Sequence, residues 1–154
     1  LNVQVVDCGV IDPLPEQPGL VLRRVGAGTA DALLQPAMTP EQCRTAIRNG
    51  REQVAGLPGN AILLGEMGIG NTSPASLLLA RLAGLPIEQV VGPGAGLDAA
   101  GRQRKIQVLG QVLERHAQAT EPLDALAALG GFEIATLAGA VLQAALLFHH
   151  SYST

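Results

Sequence analysis

Two glycine-rich segments contain the residues best suited to hold an anionic ligand. The first is GEMGIGNT at Gly65 to Thr72, and the second is GPGAG at Gly92 to Gly96. A predicted helix follows each segment, and the unpaired N–H groups and positive dipole end of a helix N-terminus attract phosphate. We therefore expect these segments to bind a phosphate group. A glycine-rich turn without a ligand remains the alternative for the first segment taken alone.

The first segment departs from two nucleotide-binding patterns in informative ways. Against the dinucleotide pattern GxGxxG, Ser73 replaces the third glycine. Against the P-loop pattern GxxxxGK[ST], Asn71 stands where a lysine would neutralise the outer phosphates. These differences argue against a dinucleotide and against a triphosphate. They favour a ligand with one phosphate, with Glu66 placed to accept hydrogen bonds from a sugar hydroxyl or to face a cationic ring.

Few charged side chains lie near the two segments. Lys105 is the only lysine of the chain and stands about two turns into the predicted helix after Gly96. It either reaches back to an anion or lies on a solvated helix face. Glu133 is either a first-turn acid that complements a helix dipole or a pocket carboxylate. The chain has three histidines, His116, His149 and His150. Their spacing does not suit a metal site, so we expect no metal.

The composition excludes several classes of protein. The 154 residues are 47% hydrophobic and 15% charged, which is too apolar for a disordered chain. An aromatic share of 2% and a net charge of −3 argue against nucleic-acid binding. The apolar stretch Ile134 to Phe148 is shorter than the ~18–20 residues of a membrane span, and we interpret it as a buried helix. Cys8 and Cys43 have no disulfide or metal spacing, which is typical of reduced thiols in the cytoplasm.

Alternating strands and helices are predicted to position the two glycine segments. This pattern indicates a single α/β domain over residues 1–154, with a Rossmann-like, mostly parallel sheet flanked by helices and with ligand sites beyond the carboxyl ends of strands. Strands are expected at Asn2 to Val6, Val21 to Val25, Ala61 to Leu64 and Pro86 to Val91. Helices are expected to begin near Thr39, Thr72, Asp98, Thr120 and Glu133.

Seven segments of the chain together resemble one enzyme family. They are VDCGVI, PGLV, GAGTAD, PAMT, GEMGIGNTSPA, GLDAAGRQRKI and PLDALAALGGFEIA. They resemble the nicotinate-nucleotide:dimethylbenzimidazole phosphoribosyltransferases of cobalamin biosynthesis, up to about Ala145. The resemblance implies phosphoribosyl transfer from nicotinate mononucleotide to a benzimidazole base, giving α-ribazole 5'-phosphate and nicotinate. It also implies a homodimer that binds small molecules, without a cofactor, a nucleic-acid partner or a membrane.

The resemblance also assigns roles to individual residues. Glu66 corresponds to an active-site glutamate that supports the ribosyl centre, and Lys105 to the active-site lysine. The expected substrate-binding residues are Gly68, Ile69 and Gly70, through backbone contacts to phosphate, together with Asn71, Gly94, Gly96 and Gly131. The family usually has a GRGTG-like sequence where this chain has GPGAG, so an arginine and a hydroxyl are missing there.

The length of the chain modifies what the resemblance implies. Family members are roughly twice as long, the scale of a large domain with a small accessory one. We therefore expect this chain to be the central portion of the large domain, truncated at both ends, with the general base in a C-terminal segment outside it. The tail Leu146 to Thr154 does not resemble the family. A catalytically inactive mononucleotide-binding or dimerisation module is the alternative function.

Overall fold

The computed structural model describes the backbone of residues 2–151 and the side chains of residues 2–147. Strand β1 (Val5–Asp7) pairs in parallel with strand β2 (Leu20–Leu22), and Val6 lies opposite Val21. The helices, in chain order, are α1 (Pro40–Ala55), α2 (Thr72–Ala83), α3 (Ile87–Val90), α4 (Ala99–Arg115), α5 (Pro122–Leu129) and α6 (Phe132–Ser151).

The chain divides into two compact packing units. Unit 1 contains the described residues of 1–29, 41–66 and 132–154, and therefore holds the parallel strand pair, α1 and α6. Unit 2 contains residues 30–40 and 67–131, and therefore holds α2 to α5. Parallel strands combined with helices give the predicted α/β class. The prediction of a single domain stays a prediction.

Direct backbone contact joins α1 and α6 in unit 1. A Cβ atom added to Gly50 would overlap the carbonyl group of Thr136, and one added to Gly139 would overlap the carbonyl group of Ile47. Neither carbonyl can move without disturbing its own helix. Glycine at both positions lets the two helices approach more closely than side chains allow.

Helix α2 lies at the centre of unit 2, where it packs against α3, α4 and α5. The buried residues Leu77 and Leu78 of α2, together with Ile106 and Leu109 of α4, contribute to its aliphatic core. Helix α5 is buried over residues 125–129. Its carbonyl groups accept hydrogen bonds from the segment before α1, where the N–H of Met38 donates to the carbonyl of Ala127 at 2.8 Å.

The helix boundaries agree with the local signals in the sequence. Helix α1 begins at Pro40, a residue whose fixed φ suits the first helical position. The Asp98 side chain accepts a hydrogen bond from the N–H of Gly101 at 2.7 Å and caps α4. Helix α2 ends before Gly84, which adopts a left-handed conformation with φ of 65°. Caps act within a few residues, so the sequence predicts them well.

Two of the predicted strands are wrong. Residues 61–64 form no strand, and Leu63 is 84% exposed, because no neighbouring strand pairs with this segment to satisfy its backbone. Residues 87–90 form the single helical turn α3, in which the carbonyl of Pro86 accepts the N–H of Gln89 at 3.0 Å and the carbonyl of Ile87 accepts the N–H of Val91 at 3.1 Å. The two glycine segments therefore precede helices, as predicted, but do not follow strands.

The prediction of a buried last helix holds for only part of α6. Gly139 and Ala140 are buried, whereas Val141 and Leu142 are each 54% exposed. Within residues 2–151, none of the helices combines the length and the apolar character needed to traverse a lipid bilayer. Of the tail Leu146 to Thr154, the side chains from residue 148 onward, including those of His149 and His150, and all of residues 152–154 lie outside the described part of the chain.

Replacing Gly50 or Gly139 with alanine should lower the free energy of unfolding by roughly 1–3 kcal/mol or more, because the new methyl group meets a helix carbonyl. Urea unfolding followed by circular dichroism measures the change. Gly110 in α4 is the matched control, since its added Cβ meets open space. Gly110→Ala should stabilise by up to about 1 kcal/mol through helix propensity. Equal effects of all three substitutions would contradict the close crossing of α1 and α6.

Candidate functional site

The site in unit 2 begins with the hydrogen bonds that hold α3 between α2 and α4. The Ser76 hydroxyl donates to the carbonyl of Val90 at 3.1 Å, which ties α3 to α2. The Arg102 guanidinium donates to the carbonyls of Val91 at 2.9 Å and Glu88 at 2.8 Å, which ties α3 to α4. These bonds fix the start of the 92–98 loop, and the cap formed by Asp98 with the N–H of Gly101 fixes its end.

The 92–98 loop passes directly beside the start of α2. Gly94 has φ of 56°, in the left-handed region, and an added Cβ would lie 3.3 Å from Thr72 Oγ1 and 3.5 Å from Lys105 Nζ. Lys105 Nζ donates to Thr72 Oγ1 at 2.8 Å. We call Thr72, Gly94 and Lys105 the Lys105 cluster. It combines a cation, a hydroxyl and the N-terminus of a 12-residue helix, which is an arrangement suited to a phosphate group.

The structure brings together some of the predicted site residues. Gly94 and Lys105 meet in the cluster, and Asn71 is the N-cap residue of α2, directly before Thr72. Most of the others lie on exposed loops: Gly68, Ile69, Gly70 and Gly96. Thr72 was not among the predicted binding residues, although a hydroxyl at the end of a glycine-rich loop is a recognisable signal.

Two predicted site residues lie outside the Lys105 cluster. Glu66 is exposed and belongs to unit 1. Gly131 is buried in the short link between α5 and α6. Their predicted roles in substrate binding stay predictions.

A second polar cluster lies in unit 1, where β1 ends. The buried carboxylate of Asp7 accepts hydrogen bonds through Oδ1 from the N–H groups of Gly9 and Val10, both at 2.9 Å. Its Oδ2 lies 3.6 Å from Arg24 Nε, and the Arg24 guanidinium also donates to the carbonyls of Val10 and Ile11. Asp7 and Arg24 therefore hold the turn after β1 from both sides.

This turn packs against the first residue of α6. A Cβ on Gly9 would lie 2.6 Å from the ring of Phe132, and one on Gly26 would lie 3.3 Å from it. Glu133 follows Phe132 and lies in the first turn of α6, where its charge complements the helix dipole. The sequence had left open whether Glu133 is a first-turn acid or a pocket carboxylate, and its position agrees with the first-turn acid.

The two cysteines form no disulfide, and the environment of each thiol raises its pKa. Burial raises the pKa of the Cys8 thiol, and the carboxylates of Glu133 and Asp7 raise it further, against a hydrogen bond with Thr136 that lowers it. Burial also raises the pKa of Cys43, against the opposing charge of Arg44. Both thiols are therefore poor nucleophiles near neutral pH.

His116 has a structural contact, and no metal cluster accompanies it. Its Nε2 lies 2.8 Å from the carbonyl of Ala32, an acceptor, so this nitrogen carries the proton. Within the part of the chain that the structure describes, no three His, Cys, Asp or Glu side chains are grouped as a metal site requires.

Comparison with known proteins identifies the class of this chain. A family model described as phosphoribosyltransferase matches residues 1–148. The chain therefore belongs to this phosphoribosyltransferase family, and the family named from the sequence motifs is confirmed.

Individual similar proteins have more specific names than the family model. The nicotinate-nucleotide–dimethylbenzimidazole phosphoribosyltransferase of Variovorax paradoxus (strain S110) is 68% identical over 145 residues, which cover 94% of this chain and 42% of that protein. The enzyme of the same name from Cupriavidus taiwanensis is 52% identical over 148 residues, covering 94% and 43%. The crystal structure of CobT from Thermus thermophilus superposes with a TM-score of 0.86 at 42% identity, covering 92% of this chain and 43% of that one.

These comparisons confirm the α/β class and also define the extent of the match. The chain spans about two fifths of the length of the curated relatives that it matches, 42% and 43% for the two named above.

Replacing Asp7 with alanine should lower the free energy of unfolding by about 2–3 kcal/mol, because two N–H groups lose a charged acceptor and the Arg24 guanidinium loses its charge partner. Asp7→Asn keeps the Oδ1 acceptor and should cost less. Asp12→Ala, at an exposed carboxylate, is the control and should change stability little. Urea unfolding measures all three, and equal stability of the Asp7→Ala and Asp12→Ala variants would contradict the role of Asp7.

The raised thiol pKa values predict slow modification of the folded chain. At pH 8, Cys8 and Cys43 should react with a thiol-specific disulfide reagent more slowly in the folded chain than in the chain unfolded by denaturant. Both folded thiols favour the neutral form, so their contribution to stability is present below the ordinary thiol pKa and is lost as the pH rises through the raised values. Urea unfolding above pH 9 checks this loss. Faster reaction of the thiols in the folded chain than in the unfolded chain would contradict the raised pKa values.

Proposed function

We propose that this chain contributes the mononucleotide-binding part of an enzyme that transfers a phosphoribosyl group from nicotinate mononucleotide to dimethylbenzimidazole. The products are α-ribazole 5'-phosphate and nicotinate. The observation that carries the proposal is the Lys105 cluster, where Lys105 Nζ lies 2.8 Å from Thr72 Oγ1 at the start of α2. The names of the relatives support the reaction type.

The charge of the cluster matches a ligand with one phosphate. Lys105 supplies one positive charge, and the first N–H groups of α2 supply a partial positive charge. Arg102 directs its donors to the carbonyls of Glu88 and Val91, so its role is to hold α3 and α4 together. One lysine and one helix terminus suit a monophosphate better than the more highly charged triphosphate.

The proposed chemistry is a displacement at the anomeric carbon of the ribose. The lone pair of a benzimidazole nitrogen forms the new bond to this carbon while the bond to the nicotinate nitrogen breaks with inversion. The electron pair of the breaking bond leaves with nicotinate, and the proton on the other benzimidazole nitrogen passes to a general base. Holding the phosphate orients the anomeric carbon for attack.

Individual residues have the following proposed roles. Glu66 supports the positive charge that develops at the ribosyl centre, while Gly68, Ile69 and Gly70 offer backbone N–H groups to the phosphate. Asn71, Gly94, Gly96 and Gly131 line the mononucleotide site. The general base belongs to a part of the longer relatives that this chain does not match. The chain is then a portion of one large α/β domain.

We further propose a cytoplasmic homodimer. The two free cysteines suit a reducing compartment. The exposed apolar residues Val141 and Leu142 on α6, each 54% exposed, suit a surface that is covered by other protein.

Calorimetry with nicotinate mononucleotide tests the binding proposal. The chain should bind it, and Lys105→Met should weaken binding by roughly tenfold, the effect of losing a hydrogen bond to a charged group. Arg104→Met is the matched control, since it removes a neighbouring exposed cation from the same helix, and it should change the affinity little. Absence of any binding heat, or equal losses in the two variants, would overturn the proposal for this chain.

A turnover assay tests whether the general base lies outside this chain, as proposed. The chain is mixed with nicotinate mononucleotide and dimethylbenzimidazole, and α-ribazole 5'-phosphate is sought by chromatography. Product formation would place all the required catalytic groups within the 154 residues. Binding without product is expected of the proposed mononucleotide-binding part, because its general base lies outside the matched residues, and it would equally fit the alternative function, a mononucleotide-binding or dimerisation module without turnover.

A further inference from the structure

The proposed function gives Thr72 no role of its own, although its side chain contacts Lys105. Its hydroxyl oxygen lies in the first turn of α2 and accepts a hydrogen bond from Lys105 Nζ at 2.8 Å. Lys105 lies on α4, 33 residues further along the chain, so the bond depends on the packing of α2 against α4.

A lysine side chain without a hydrogen-bond partner does not hold an anion at one fixed position. Its flexible four-carbon stem has many rotamers, and fixing one of them costs conformational entropy. A hydrogen bond to Thr72 removes much of this freedom before a ligand arrives. The ammonium group has three donors, so one bond to Thr72 leaves two for a phosphate oxygen.

The backbone at Gly94 also limits the space available to the Lys105 ammonium group. A Cβ on Gly94 would lie 3.5 Å from Lys105 Nζ and 3.3 Å from Thr72 Oγ1, so the 92–98 loop passes directly beside this exposed hydrogen bond. The tip of Lys105 therefore lies between the start of α2 and a backbone segment without a side chain. Thr72 is the hydroxyl that holds the ammonium group there.

We infer that Thr72 is a positioning residue, which holds Lys105 at the place where the phosphate of the mononucleotide binds. This inference rests on the proposed function for its ligand, but the hydrogen bond itself is a property of the unliganded chain. Thr72 then acts on the ligand through Lys105.

The first test needs no ligand, and it uses the fact that Lys105 is the only lysine. Labelling with ¹⁵N-lysine gives one ammonium signal from a side chain in the NMR spectrum. Its protons should exchange with water several-fold faster in Thr72→Val than in the wild-type chain, because the acceptor is lost. Thr72→Ser keeps a hydroxyl and should restore slow exchange. Ser73→Ala removes a hydroxyl from the same turn of α2 and should leave exchange unchanged.

Equal exchange rates in Thr72→Val and the wild-type chain would overturn the inference. Circular dichroism shows whether each variant is folded. Should Thr72→Val fail to fold, Thr72→Ala replaces it, and the comparison with Thr72→Ser is unchanged. A merely structural role for Thr72 would not change the exchange of the Lys105 ammonium protons in a folded variant.

The second test is a double-mutant cycle on the affinity for nicotinate mononucleotide. Thr72→Val should weaken binding by several-fold to tenfold in the wild-type background and should have no further effect in a Lys105→Met background. An equal loss in both backgrounds would mean that Thr72 contacts the ligand itself, and would overturn the positioning role. If the wild-type chain binds no mononucleotide, the proposed function fails, while the exchange measurement still decides the role of Thr72.

Discussion

The contact between the backbones of α1 and α6 is the constraint on which unit 1 depends. Gly50 and Gly139 each face a carbonyl group of the other helix, so no side chain can be placed between them. This crossing fixes the start of α6, where Phe132 packs against Gly9 and Gly26. The turn after β1 is thereby located, and Asp7 completes it with two hydrogen bonds to the backbone and a charge partner in Arg24.

In unit 2, the Lys105 ammonium group is held beside the N-terminus of α2. Ser76 and Arg102 donate hydrogen bonds to carbonyl groups of α3 and of Val91, and these bonds hold α3 in place. The loop that follows α3 places Gly94 beside Thr72 and Lys105. Because each of these bonds joins different helices, the position of Lys105 depends on the packing of the whole unit. In the proposed function this arrangement holds Lys105 in place before the phosphate binds, which lowers the entropic cost of binding.

Local signals made much of the fold predictable, and long-range pairing limited the rest. Pro40, Asp98 and Gly84 mark helix ends, since a cap satisfies backbone groups only a few residues away. The segment 61–64 has the composition of a buried strand but remains unpaired, because a strand requires partners that its own sequence does not specify. Residues 87–90 were mistaken for a strand, since a short apolar run after a proline fits a helical turn equally well.

The sequence by itself determined the family, the glycine segments before α2 and α4, and the types of residue available to bind a monophosphate. These properties follow from residue identity and short spacing, which the chain carries whether folded or not. Only the tertiary structure decided that Thr72 is the partner of Lys105, that Gly94 lies beside them, and that Asp7 is buried against Arg24. Such contacts join residues far apart in the chain, and packing alone brings their polar atoms within hydrogen-bond or ion-pair distance.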